Sequence, residues 1–226
     1  MPIAEVLVLR WLHILAMVYW LGGEWGVFQT SRHVVDPSLS MEERRRHMET
    51  AYRIDILART GIILLLPLGL HMGNMYGLQP FGGPWLWGMW VAFGGWLGLC
   101  WAAFAHRETD LGVRLTLWDE RIRYVVIPVL LVSAVLSLLG LGPFLAGPGL
   151  MWFSYKILIY SLLLVIGLYL RFVMREWTQL FRVLAEGPNA EVEQKLAKSL
   201  RFGKRLAYLY WVGIAATAFL GTTKFV

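Results

Sequence analysis

The stretch VLVLRWLHILAMVYWLGGEWGVF (Val6–Phe28) runs for 23 residues, interrupted only by Arg10, His13 and Glu24 among strongly polar side chains. About 20 mostly apolar residues cross the hydrocarbon of a bilayer. Lipid cannot satisfy open backbone groups, so a segment of this kind must be helical. Five further runs of this kind follow at Ile56–Tyr76, Trp85–Ala105, Tyr124–Ala146, Leu150–Leu170 and Leu206–Thr222. With 58% hydrophobic residues and twelve tryptophans in 226 positions, the chain carries more apolar surface than one soluble core absorbs. The expected fold is an all-α integral membrane protein, a six-transmembrane-helix bundle forming a single domain over residues 1–226.

The connections between these runs sort the charge. One side receives 18 of the 21 Lys and Arg residues, including Arg44, Arg45 and Arg46, then Arg121 and Arg123, then the basic run around Lys195–Arg205. The other side keeps only Arg10, Lys156 and Lys224. The positive-inside rule makes the basic side cytoplasmic, with both termini periplasmic in a bacterial inner membrane. The net charge of +6 is therefore read as contact with an anionic leaflet and not with nucleic acid. The opening Met-Pro-Ile-Ala-Glu lacks the basic start of a signal peptide, so the first span is expected to remain. Cys100 is the only cysteine, which excludes an intrachain disulfide.

Between the first two spans, Ser40-Met41-Glu42-Glu43 has the spacing of a capping box and predicts a helix start. The region around 174–205 breaks at Gly187-Pro188-Asn189, where Asn189 can cap a new helix. This predicts a cytoplasmic helical hairpin, whose plainer reading is a solvated extension without a partner. Arg59, Pro67, Pro80-Phe81 and Arg107 are echoed by Arg123, Pro128, Pro143-Phe144 and Arg171, a weak internal repeat that apolar helices with terminal arginines also produce by default.

Polar side chains within hydrocarbon are costly and point to function. His13 and His71 each lie six residues or so from the same face of the membrane, about 9 Å deep at 1.5 Å per residue. Two histidines at one depth on antiparallel neighbours can ligate a haem iron axially. Gly69 and Gly73 flank His71 and are expected to leave room for a flat ring. Arg10 is a candidate partner for a haem propionate. Lys156 falls in the same layer and is a candidate propionate partner or axial ligand, unless it only snorkels to the surface. Deeper, Glu24 and Arg59 come to similar depths and are expected to form an ion pair, or alternatively a proton relay. His13 with Met17, and His71 with Met72 and Met75, also make a soft donor set of the kind Cu(I) prefers.

Arg10-Trp11-Leu12-His13-Ile14 with Trp20-Leu21-Gly22-Gly23, and Trp152-Phe153-Ser154-Tyr155-Lys156, resemble the superfamily containing the bacterial membrane protoporphyrinogen oxidase and the membrane domain of copper-resistance protein D. The resemblance implies a b-type haem, with essential roles on His13 and Lys156. His71 has no counterpart there, and the chain has an extra pair of spans.

The leading expectation is thus a b-type haem cytochrome subunit. Its haem, held by His13 and His71 near the periplasmic face, would exchange electrons with a redox partner protein or quinone, within a larger complex if not alone. The alternatives are a haem-dependent protoporphyrinogen oxidase, a copper-binding or transport protein, and a cofactor-free membrane anchor.

Overall fold

The computed structural model describes residues 3–224; the remaining four residues of the 1–226 domain lie outside the described residues. Six α-helices and no strand occur among them: α1 Ile3–Val34, α2 Met41–Met75, α3 Pro84–Ala105, α4 Asp110–Leu138, α5 Trp152–Glu186 and α6 Ala190–Thr223. Each is long and apolar enough to cross a membrane, and the chain is a multi-pass membrane protein. Consecutive helices pack together and α6 returns to α1, closing a ring. The inner pair is α2 and α5, with 56% and 44% of their apolar windows buried against 17 to 22% for the other four. Those four turn large apolar side chains such as Trp11, Trp87, Val129 and Val212 outward, as lipid contact requires.

Local chemistry sets the helix starts. The Ser40 hydroxyl accepts from the Glu43 N–H while the Glu43 carboxylate accepts from the Ser40 N–H, which completes the capping box. Pro84 opens α3, where its missing N–H costs nothing. The Thr109 side chain accepts from Gly112 N–H at the start of α4, and that of Asn189 from Val192 N–H at the start of α6. Pro67 interrupts α2 within the membrane and deprives the Ile63 carbonyl of its helical partner. Tyr160 of α5 donates to the adjacent Ile62 carbonyl at 2.6 Å and ties the inner pair together there.

The fourth span departs from the expected Tyr124–Ala146. The helix begins fourteen residues earlier, at Asp110, and ends at Leu138. The chain then turns through Gly140, whose φ of 75° falls in the left-handed region that glycine tolerates. Phe144 N–H donates to the Ser137 hydroxyl and Leu145 N–H to the Leu78 carbonyl, while the Phe144 ring packs back onto Phe153. Only Phe144 of this run is buried, while Leu139, Leu141 and Leu145 stay exposed, so the apolar composition past Leu138 belongs to a loop at the end of the bundle that hydropathy alone reads as more helix.

The long α5–α6 hairpin is not a free extension. Trp177, Phe181, Leu184 and Leu196 form a second core with Val34 and Val35 of the α1–α2 connection. Arg44, 2% exposed, grips Glu193 of α6 through Nη1 at 2.6 Å and Nη2 at 3.0 Å. Its Nε donates to the Val34 carbonyl at 2.8 Å. The hairpin thereby clamps the first connection of the ring.

Candidate functional site

The start of α1, the end of α2, the start of α5 and the end of α6 meet at one end of the bundle around a cavity of about 330 Å³. That volume lies in the range of small-molecule and cofactor pockets. Leu65, Leu66, Met72, Trp152, Phe153 and Ile157 supply much of its apolar wall. His13 projects into it from α1 and Lys156 from α5, with the Lys156 Nζ 3.5 Å from the His13 Nε2. The His13 Nδ1 is buried without a hydrogen-bond partner, while its Nε2 faces Lys156 at the cavity.

Glycines keep the space open. A Cβ at Gly69 would stand 3.3 Å from His13 Cε1, and one at Gly221 would stand 2.6 Å from Lys156 Nζ. Arg10 and Lys224 also line the cavity, and the Lys224 ammonium sits 5.0 Å from the centre of the Tyr76 ring. Arg10, Lys156 and Lys224 are the same three cations that the sequence assigns to this side of the membrane. All three converge on one cavity, and among the described residues no carboxylate side chain lines it.

His71 is not part of this site. It does not line the cavity; its Nδ1 accepts from Trp90 Nε1 at 3.3 Å and its Nε2 lies 3.6 Å from the Glu5 carboxylate. The reason is helical geometry. Gly69 and Gly73 are four residues apart and share the face of α2 that turns inward, whereas His71 is two residues from each, about 200° around the helix. Equal depth put His13 and His71 in one layer but on separate faces. The expected copper donor set divides, with His13, Met17 and Met72 in the cavity and His71 and Met75 outside it. Among the described residues no cluster of three His, Cys, Asp or Glu side chains is arranged to hold a metal ion.

At the basic end, Glu24 and Arg59 do reach a common cavity, but the expected ion pair between them does not form. Arg59 pairs instead with Asp55, one helical turn earlier on its own helix, which competes at closer range. Sequence reading also missed Asp119, which lies outside the span predicted from Tyr124. Its carboxylate, 2% exposed, accepts from Trp96 Nε1 at 2.6 Å, from the Cys100 thiol at 3.2 Å and from Arg171. Glu120 beside it pairs with Arg175. The available signal was Asp119-Glu120 four residues before Arg123-Tyr124, acidic side chains set against an apolar run. No protein-family model, curated protein or solved structure matches this chain.

Proposed function

We propose that this chain binds a b-type haem in the α1/α2/α5/α6 cavity and serves as an oxidoreductase component of the bacterial inner membrane, its basic connections cytoplasmic and its termini periplasmic. One observation carries the reading: His13 shares an apolar cavity with Arg10, Lys156 and Lys224, and among the described residues no carboxylate lines it. A haem is a flat apolar ring bearing two carboxylates, and these residues match its parts. His13 Nε2 would hold the iron, Arg10 and Lys224 at the mouth would meet the propionates, and Gly69 and Gly221 leave room for the ring. When bound, haem supplies one-electron exchange at a potential set by its ligand and surroundings. His71 is replaced in this reading by Lys156, whose Nζ stands beside the imidazole and would serve as a second ligand once deprotonated or, as the ammonium, as a donor to an anionic group.

The proximity of Lys156 to His13 also favours a second reading, oxidation of a porphyrinogen, because the resemblance gives essential roles to these two positions. Here Lys156 would hold a substrate carboxylate near the haem edge. Electron delivery within the bilayer to a partner protein or quinone is common to both readings.

The test is a reduced-minus-oxidised spectrum with pyridine haemochrome quantitation on the purified wild type and on His13→Ala, His71→Ala and Lys156→Ala. The expected result is a b-type signal that survives His71→Ala and is lost in His13→Ala. Absence of haem from the wild type, or its retention in His13→Ala, would overturn the assignment. Turnover of protoporphyrinogen by the purified wild type but not by Lys156→Ala selects the second reading.

A further inference from the structure

The basic end of the bundle holds a second cavity, of about 100 Å³, which the haem reading leaves unused. Arg59, Arg123, Arg171 and Lys204 line it, opposed by Glu24 and Asp55. Asp119 stands behind the two central arginines, so four cations meet three carboxylates. The three arginines and the three carboxylates balance, and the exposed Lys204 at the edge adds the positive charge that an anion would offset.

The hydrogen bonding points the same way. Arg123 is 5% exposed, yet its guanidinium donates no hydrogen bond among the described residues. Its Nε lies 3.4 Å from Asp119 Oδ1 without bonding to it, and its plane rests 5.3 Å from the centre of the Trp96 ring. Arg171 gives Nη1 to Asp119 but leaves Nη2 buried without an acceptor. A guanidinium carries five donors, and buried donors are almost always satisfied. Arg123 of α4 and Arg171 of α5 line the same cavity, with the exposed Lys204 of α6 at its edge. Acceptors reached from three helices suit a tetrahedral oxyanion better than a planar carboxylate. The rest of the wall is apolar, including Phe28, Leu170 and Trp211.

We propose that this cavity is a phosphate-binding site, with the Arg123 and Arg171 guanidiniums as its principal donors and Lys204 at its edge. Basic pockets between transmembrane helices bind the phosphates of anionic lipid headgroups. Free inorganic phosphate presents the same chemistry, and the experiment separates the two sources.

The full-length protein, stripped of lipid in a neutral detergent, is titrated with phosphatidylglycerol, with phosphatidylcholine and with inorganic phosphate. Bound adducts are read by native mass spectrometry and the unfolding midpoint is read in parallel. The expected result is saturable binding of phosphatidylglycerol over phosphatidylcholine, or of inorganic phosphate, the respective source being thereby identified. Arg123→Gln should weaken it roughly tenfold, as loss of charge-assisted donors does. Glu24→Gln removes an opposing carboxylate and should leave binding equal or tighter. Arg182→Gln, at an exposed cation outside the cavity, is the control and should change nothing. Should Arg123→Gln fail to fold, Lys204→Gln at an exposed position must show the weakening in its place. Equal losses in the cavity variant and in Arg182→Gln would mean diffuse attraction to a basic surface and would overturn the proposal, as would the absence of saturable binding in the wild type.

Discussion

Lys156 Nζ lies 3.5 Å from His13 Nε2, although 143 positions separate the two residues in the chain. The pairing brings the first and fifth helices to one point at the wall of a cavity that also receives Arg10 and Lys224. It moves the candidate haem site away from His71 and makes the glycines of α2 and α6 its walls.

Filling those walls should exclude the ligand without unfolding the protein. Gly69→Leu places a side chain against the His13 ring, and Gly221→Leu places one where the Lys156 ammonium now sits. Glycine inside a helix is less favourable than a side-chain-bearing residue by about 0.5–1 kcal/mol, so the helices themselves do not suffer. Haem content per protein should fall at least severalfold in both variants while the helical circular dichroism stays at the wild-type level.

Neutralising Asp119 should expose how much the basic end depends on it. Asp119→Asn leaves Arg171 and Arg123 without the carboxylate they share, and breaking a buried pair of this kind costs about 3–5 kcal/mol. The expected outcome is a large drop in unfolding midpoint. A shift no larger than that of an exposed acidic substitution, such as Glu108→Gln, would show that the carboxylate does not organise this region.

The clamp between Arg44 and Glu193 predicts an asymmetry. Glu193→Gln strands a guanidinium that is 2% exposed, whereas Arg44→Met leaves a carboxylate that is 28% exposed and free to hydrate. Truncating the partner of the more deeply buried charge is costlier, so Glu193→Gln should destabilise by about 3 kcal/mol or more. Arg44→Met should cost about 1.5–3 kcal/mol, part of it from the orphaned Val34 carbonyl. Chemical unfolding of both single variants and the double variant gives the coupling directly.

The proposed orientation is tested with reporter fusions. A fluorescent reporter that matures only in the cytoplasm should be bright when inserted at Gly187 and dark at the C-terminus. Alkaline phosphatase, active only in the periplasm, should give the converse. The reverse pattern would place the haem cavity on the cytoplasmic side.

The existence and number of the spans were legible in the sequence because lipid demands continuous apolar helices whatever the neighbours are. Ser40, Glu43 and Asn189 were equally legible, since a cap is settled within a few residues of backbone. Asymmetry in charge also needed no structure, and it separated Arg10, Lys156 and Lys224 from the other cations before anything was known of their positions. Only the packing decided that those three meet at one cavity, that His13 faces Lys156, and that the inward face of α2 carries Gly69 and Gly73 instead of His71. The physical reason is that hydropathy reports depth and burial but not rotation about a helix axis: every face of a membrane helix is apolar, so the sequence carries little signal for which face meets which neighbour. For the same reason α4 was misread at both ends. Its apolar tail beyond Leu138 was a largely exposed loop at the end of the bundle, and its charged beginning around Asp119 was helix whose carboxylate meets Trp96 and Arg171 only once α3, α4 and α5 are assembled.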